Sequence, residues 1–470
     1  MKAKYMTVPV LLTVLILVFF AGNTLTAASA AGSFQVPKYE KFVMDNGLTV
    51  YLMEQHEVPL IYISAVVPAG AVKDGENYGL ASLTADALLF GTKNYTKDQI
   101  QEKLDFLGAR YETWADLETA EISATFAKKD LDTVMPIIKE IITEPVFDQA
   151  EFDKHKKRVL LQLERAKERP AAVIRSYFNK FLFGEHVYGN PEAGTPGAVS
   201  RINIDAVEEF YKDNYKPMES AVAVVGDFNT AEMKEKVVKC FDGWQAAGPS
   251  KKPVQKPLPT FGKNRVLLVN KDDAAETRFL IGSLGIKRSN PDYVAIQVIN
   301  TILGGRFTSW LNDELRVNAG LTYGAFSSFN AYKDSGTFIV SSFTRTPKTV
   351  EALDLAVEVL ERLHKKGVDA KTLESAKNYI KGQYPPRFET SGHLANLLTG
   401  MFVYGFDESF INDFQENVDL MTVEKAKEII KKYFPMDKLQ FVLIGKASEI
   451  RDKVKKYGQI TEKEIKAEGY

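Results

Sequence analysis

Apolar positions in the first part of the chain follow two different periods. Leu80, Leu83, Ala87 and Leu88 recur at helical spacing, which predicts a helix with one apolar face. This helix comes after a strand-like run over 60–67 and a short glycine-containing loop. The sequence therefore predicts a strand, a loop and an amphipathic helix in succession.

The elements before and after this segment predict an α+β first half. Asp45-Asn46-Gly47 lies between two apolar runs and is typical of a β-hairpin turn. Thr96 and Gln99 have the spacing of a capping box at a helix start. Apolar periodicity further predicts strands over 111–114, 119–126 and 220–225, and helices over 131–142, 152–168 and 204–214.

A proline-rich segment separates two halves that repeat one plan. Residues 245–263 contain four prolines and no apolar periodicity, which is typical of a linker. On either side of it, a helix, an aromatic residue and an apolar strand ending in glycine follow in the same order. Three pairs share an offset of 219 residues: Asn203 and Thr422, Tyr215 and Phe434, Gly226 and Gly445. This offset predicts two copies of one domain, over 36–244 and 264–460.

The first thirty residues have the pattern of a signal peptide. Lys2 and Lys4 precede an apolar run over 8–22, and Ala28-Ser29-Ala30 offers small residues for cleavage. The alternative is a membrane-anchored N-terminus, but the apolar run is shorter than the ~20 residues that a spanning helix needs. We therefore expect export, with a periplasmic or secreted mature protein cleaved near Ala30.

Charge and cysteine content limit the remaining function classes. The net charge is −1 and becomes −3 when the two lysines of the signal peptide are removed, so no nucleic acid partner is expected. Cys240 is the single cysteine, which rules out a disulfide within the chain. The five histidines show no metal-binding spacing, and we expect structural roles for His56, His155, His186, His364 and His393.

The segment 79–92, Gly-Leu-Ala-Ser-Leu-Thr-Ala-Asp-Ala-Leu-Leu-Phe-Gly-Thr, resembles the zinc-site helix of the pitrilysin/insulinase family, the inverted zincins. That family writes Gly-Leu-Ala-His-Phe-Leu-Glu-His, in which two histidines bind zinc and the glutamate acts as general base. The corresponding positions here are Ser82, Ala85 and Asp86. The resemblance covers nearly all of 36–460 and implies two similar α+β domains, each a mainly antiparallel sheet backed by helices.

The resemblance also implies that the zinc site is degenerate. Ser82 is a poor zinc ligand, Ala85 has no proton acceptor, and Asp86 is a single carboxylate. The family's third ligand is a glutamate about seventy-five residues later, where this chain has Gln162, with Glu164 two residues beyond. We therefore expect no metal and no other cofactor in this chain.

The second half carries the most specific motif. Leu315-Arg316 is followed after a Gly-Leu-Thr run by Tyr323. In the family, this arginine and tyrosine reach into the zinc site of another domain and bind the substrate backbone or the developing oxyanion. Both side chains are donors suited to a carbonyl oxygen that gains charge. The alternative is that Arg316 caps a helix and that Tyr323 is an ordinary strand aromatic.

Three hypotheses about function follow from the resemblance. In the first, the chain is a non-catalytic subunit of an exported two-chain zinc peptidase. Its partner is a family member carrying His-x-x-Glu-His and zinc, in a heterodimer or a dimer of heterodimers that cleaves peptides. In the second, it is a catalytically inert structural or assembly protein. The third, an autonomous peptidase, is disfavoured by Ala85, because loss of a general base costs ~10²–10⁴ in rate.

The signal-peptide pattern gives a first prediction. The mature N-terminus should be Ala31, because Ala28 and Ala30 fit the small-residue pockets of a signal peptidase. Intact-mass analysis of the exported protein measures this directly. Retention of Met1 would contradict both the cleavage and the expected location.

Overall fold

The computed structural model describes residues 34–245 and 248–470. The predicted signal peptide lies outside these ranges. Within them, every helix is too short or too polar to cross a membrane.

The first half of the described chain forms a six-stranded sheet with helices. Its strands are β1 (Glu40–Val43), β2 (Thr49–Glu54), β3 (Leu60–Val67), β4 (Arg110–Ala115), β5 (Ala120–Ala127) and β6 (Ala221–Gly226). Its helices are α1 (Leu80–Ala87), α2 (Lys97–Phe106), α3 (Leu131–Thr143), α4 (Gln149–Ala166), α5 (Pro170–Phe183), α6 (Pro196–Arg201), α7 (Ile204–Asn214) and α8 (Thr230–Phe241). The strand order is β1-β2-β6-β3-β5-β4.

The second half begins after residues 248–263, which contain neither helix nor strand. Its strands are β7 (Arg265–Asn270), β8 (Glu276–Leu284), β9 (Ala325–Ala331), β10 (Gly336–Arg345), β11 (Gln440–Gly445) and β12 (Gln459–Glu464). Its helices are α9 (Tyr293–Leu303), α10 (Trp310–Asn312), α11 (Thr349–Lys366), α12 (Ala370–Gly382), α13 (Ser391–Tyr404), α14 (Ser409–Asn412), α15 (Phe414–Asp419), α16 (Val423–Tyr433) and α17 (Ala447–Val454). The order is β12-β7-β11-β8-β10-β9.

The two sheets share one topology, which confirms the predicted fold class. β6 and β11, the strands matched by the sequence offset, both lie third in their sheets. Each pairs in parallel with one neighbour, β2 or β7, and antiparallel with the other, β3 or β8. Both sheets are therefore mixed but mainly antiparallel. They differ at one edge, where β1 runs antiparallel to β2 and β12 runs parallel to β7.

Two local signals in the sequence have the structure that they predict. At the hairpin between β1 and β2, Gly47 adopts a φ of 88°, and the Asn46 side chain accepts a hydrogen bond from the Leu48 N–H at 3.1 Å. At the start of α2, Thr96 and Gln99 form the reciprocal hydrogen bonds of a capping box. These residues fix the ends of elements through contacts within a few positions of each other.

Each sheet buries its second face under a helix from the other half of the chain. Helix α13 packs on the first sheet, where Leu394, Leu398 and Met401 join the apolar residues Tyr51, Met53, Val66, Ala221, Ala223 and Val225. Helix α5 packs on the second sheet, where Tyr177, Phe178 and Leu182 join Leu267, Val269, Leu280, Ile339, Val442 and Ile444. Because both faces are covered, every residue of β6 and β11 is buried.

A polar contact joins the ends of the two sheets. Glu118, in the turn between β4 and β5, accepts hydrogen bonds from the Tyr188 hydroxyl at 2.6 Å and from the Lys333 N–H at 3.0 Å. The same hydroxyl accepts from the Asp334 N–H at 2.9 Å. Burial raises the pKa of Glu118, although the Tyr188 hydrogen bond acts in the opposite direction. The two halves are thus held together by hydrogen bonds as well as by the exchanged helices.

The helix exchange predicts that a residue of the second half stabilises the first sheet. Leu398→Ala removes a fully buried side chain of α13 and should lower the free energy of unfolding by about 2–5 kcal/mol. Denaturant unfolding measures this loss, and hydrogen exchange should accelerate in β3 and β6. Leu420→Ala, at a side chain that is 66% exposed, serves as the control. Faster exchange confined to the second sheet would contradict the prediction.

Candidate functional site

A buried aspartate fixes the start of the helix that corresponds to the family's zinc helix. The Asp74 carboxylate accepts hydrogen bonds from the Gly79 and Ala81 N–H groups, both at 2.8 Å. N–H groups at the start of a helix have no acceptor within the helix, and the Asp74 carboxylate supplies one for these two. Burial raises the pKa of Asp74 to about 8, and the two backbone donors act against this rise.

The three positions that match the family's zinc motif lie on α1 as the spacing predicts. Ser82 and Asp86 are half-buried and lie one turn apart. Ala85 is fully buried and presents only a methyl group. A general base at this position needs a proton acceptor, which alanine does not provide.

Asp86 already has a partner within the chain. Its carboxylate lies 2.8 Å from Nε2 of His155 on α4, and the His155 ring packs against Phe90. Arg158 donates to Nδ1 of the same ring at 3.2 Å. Since arginine has no acceptor, the network assigns the imidazole proton to Nε2, which donates to Asp86. Burial raises the pKa of the nearby Tyr215 phenol, and the Asp86 charge adds to the effect.

These residues do not fit a catalytic zinc ion. Gln162 is exposed on α4, and its side chain, like that of Ser82, makes no hydrogen bond to another described residue. Throughout 34–245 and 248–470, no three His, Cys, Asp or Glu side chains are grouped as metal ligands would be. Zinc in this fold needs three protein ligands and an open position. Here the one carboxylate, Asp86, is bound to His155 instead.

The sequence predicts a structural role for His155, because no other histidine stands at metal-binding spacing from it. It does not predict the contact between His155 and Asp86. One signal was available, since His155 precedes Gln162 by seven residues, or about two helical turns. It therefore lies on nearly the same side of α4. The sequence offers no indication that α4 contacts Asp86 at that turn.

Arg316 lies in an irregular turn of the second domain. Helix α10 continues into a π-helical segment, Asp313–Asn318, closed by a hydrogen bond from the Ala319 N–H to the Glu314 carbonyl. The Glu314 side chain forms an ion pair with Arg362 of α11, which anchors the turn. Such π-helical turns are rare in proteins, and many of those that occur lie at functional sites.

The Arg316 side chain contacts an aromatic ring rather than a carboxylate. Its guanidinium carbon lies 4.5 Å from the centre of the Phe307 ring. The side chain is half-buried and forms no hydrogen bond or ion pair with another described residue. Its polar edge is therefore available to a group from outside the described chain.

Tyr323 projects into solvent from a fixed backbone. The tyrosine is 83% exposed and precedes β9 rather than lying within it. On its two sides, Thr344 donates to the Leu321 carbonyl at 2.7 Å and Ser342 donates to the Gly324 carbonyl at 2.9 Å. Both bonds tie the segment to β10, so the backbone is held while the phenol stays free.

The candidate residues thus form two separate groups. The first, on α1 and α4, consists of Asp86 and His155 with Ser82 and Ala85 beside them. The second consists of Arg316 and Tyr323, which lie in the segment that leads from α10 to β9, and no hydrogen bond, ion pair or ring contact joins their two side chains. No hydrogen bond, ion pair or ring contact between described residues joins the two groups.

Comparisons with known families match both halves of the chain. Residues 49–195 match "Insulinase (Peptidase family M16)", and residues 201–380 match "Peptidase M16 inactive domain". A short match over 425–460 to "Mother cell inhibitor of FtsZ" falls on helices and strands of the second sheet and marks no separate module.

Individual relatives give the same family. The "uncharacterized zinc protease YmxG" of Bacillus subtilis is 22% identical over 344 residues, covering 73% of this chain and 83% of the relative. The "non-peptidase homolog YmxG" of Helicobacter pylori is 22% identical over 396 residues, covering 83% of this chain and 90% of the relative.

Solved structures share the fold. An M16 inactive domain from Pseudomonas fluorescens has a TM-score of 0.81 at 24% identity, covering 87% of this chain and 98% of the other. A protease from Helicobacter pylori has a TM-score of 0.80 at 20% identity, covering 87% and 100%. Together, these matches show that the chain belongs to the insulinase family of M16 peptidases, with Ser82, Ala85 and Asp86 at the positions of the family's zinc motif.

Proposed function

We propose that this chain is the non-catalytic, substrate-binding subunit of an exported two-chain zinc peptidase. In this proposal, Arg316 and Tyr323 complete the active site of a partner that carries His-x-x-Glu-His. The zinc belongs to the partner, and this chain holds no metal. The assembly is a heterodimer or a dimer of heterodimers, and its substrate is a peptide or a small protein.

One observation carries the proposal: neither donor is occupied by another described residue, while the backbone around both is fixed. Peptide cleavage on zinc creates a tetrahedral oxyanion, and donors already held in place stabilise it with little reorganisation. The guanidinium of Arg316 and the phenol of Tyr323 are such donors. Neither has a hydrogen-bonding partner among the described residues that would occupy it.

The first domain also supports the proposal that catalysis belongs to the partner. Asp86 is bound to His155, and Ala85 has no acceptor, so the described residues of this chain do not assemble a hydrolytic centre. The printed names of relatives differ, since one is a zinc protease and another a non-peptidase homolog. The names of the relatives therefore do not decide whether this chain hydrolyses peptides, and the proposal rests on its residues.

The arginine and tyrosine should contribute to turnover by the complex. Arg316→Ala or Tyr323→Phe, reconstituted with a catalytic partner, should lower kcat by ~10²–10³, or roughly 3–4 kcal/mol, because each removes one oxyanion donor. Part of the loss will appear in KM if the pair also holds ground-state substrate. Steady-state cleavage, normalised to assembled complex by size-exclusion chromatography, measures the effect.

Arg345→Ala, at an exposed arginine of the same domain, is the matched control and should cleave like the wild type. A packing role for Arg316 gives a different result, in which assembly weakens while turnover per complex stays normal. If both variants assemble and cleave normally, the pair has no catalytic role. A structural or assembly protein then becomes the better account.

A further prediction concerns metal content. The purified chain should hold well under one equivalent of zinc after chelator washing, because its one carboxylate at the site is bound to His155. Elemental analysis of the isolated chain tests this, with a catalytic family member treated in parallel. About one retained zinc per chain, or peptide hydrolysis by the chain alone, would overturn the prediction.

A further inference from the structure

We infer that Phe307 is a positioning residue for Arg316, on the assumption that the proposed function holds. The Phe307 side chain is 59% exposed, although an aromatic ring is ordinarily buried. Its ring lies 4.5 Å below the Arg316 guanidinium. Burial in the core does not explain a phenylalanine at this exposed position, whereas contact with Arg316 does.

The loop that carries Phe307 is anchored before and after the ring. The Gly304 carbonyl accepts a hydrogen bond from the Ser327 N–H of β9 at 3.1 Å. A Cβ at Gly304 would lie 2.2 Å from that nitrogen, so glycine is required for this approach. Arg306 reaches α12, where it donates to the Ser375 carbonyl at 3.2 Å and to its hydroxyl at 3.1 Å.

A buried amide links this loop to the segment that bears Tyr323. The Asn312 side chain is fully buried and donates to the Phe307 carbonyl at 2.6 Å. Its oxygen accepts from the Ala325 N–H, two residues beyond Tyr323, at 3.3 Å. Asn312 therefore holds the aromatic platform and the start of β9 at a constant spacing.

A ring placed in this way orients a guanidinium without occupying its donors. The cation lies over the negative face of the ring and is attracted to it electrostatically. The guanidinium N–H groups have no acceptor among the described residues, so a substrate carbonyl can accept from them. Without the ring, the long side chain spreads over more rotamers and spends less time in the productive one.

The first test is kinetic and uses the reconstituted complex. Phe307→Leu should lower kcat roughly 2–5-fold, while Phe307→Tyr, which keeps the ring, should restore the wild-type rate. The effect of Phe307→Leu should vanish in an Arg316→Ala background, because the ring acts through the arginine. Phe106→Leu, at an 88% exposed phenylalanine of the first domain, should leave kcat unchanged.

The second test uses the isolated chain and needs no partner. Phenylglyoxal modifies accessible arginines, and peptide mass spectrometry reads the rate at each site. Phe307→Leu should accelerate modification of Arg316 about 2–5-fold relative to Arg345, and Phe307→Tyr should not.

The two experiments separate the inference from the function on which it rests. Equal modification of Arg316 in the wild type and in Phe307→Leu overturns the positioning role alone. So does a loss of kcat that persists unchanged in the Arg316→Ala background. Normal turnover of Arg316→Ala itself overturns the proposed function, and the inference falls with it.

Discussion

The exchange of helices α5 and α13 between the two halves is the constraint on which the rest of the structure depends. Strand residues point alternately to opposite faces, and in β6 both sets are apolar and buried. Val222 and Val224 face the helices of their own domain, whereas Ala223 and Val225 face α13. Each sheet buries its second face under a helix of the other half, so each domain depends on the other for part of its core.

This packing explains how α1 persists without the ligands that the family binds there. Leu80, Leu83 and Ala87 lie in the first core, and Asp74 satisfies the first backbone donors of the helix. These contacts do not involve a metal. The hydrogen bond between Asp86 and His155 then joins α1 to α4 at a position where the family has a zinc ligand. The core contacts and the start of α1 therefore need no zinc ligand.

The sequence predicted what is encoded locally and missed what depends on tertiary contacts. The hairpin turn, the capping box and the bounds of α7 follow from side chains within a few residues of each other, and the 219-residue offset predicted two equivalent sheets. Helices α5 and α13 are not among the elements that the sequence predicts, and apolar periodicity does not show which sheet a helix covers. For the same reason, the partner of Asp86 and the contact of Arg316 with Phe307 are not predicted.

Two arginines near the π-helical turn differ from Arg316 in how they use their N–H donors. Arg306 donates to Ser375, and Arg362 forms an ion pair with Glu314, so both use polar edges to hold the fold. Arg316 contacts the Phe307 ring and makes no side-chain hydrogen bond or ion pair with another described residue. In the proposed complex, its N–H donors are therefore free to bind a substrate carbonyl without first breaking a contact that holds the fold.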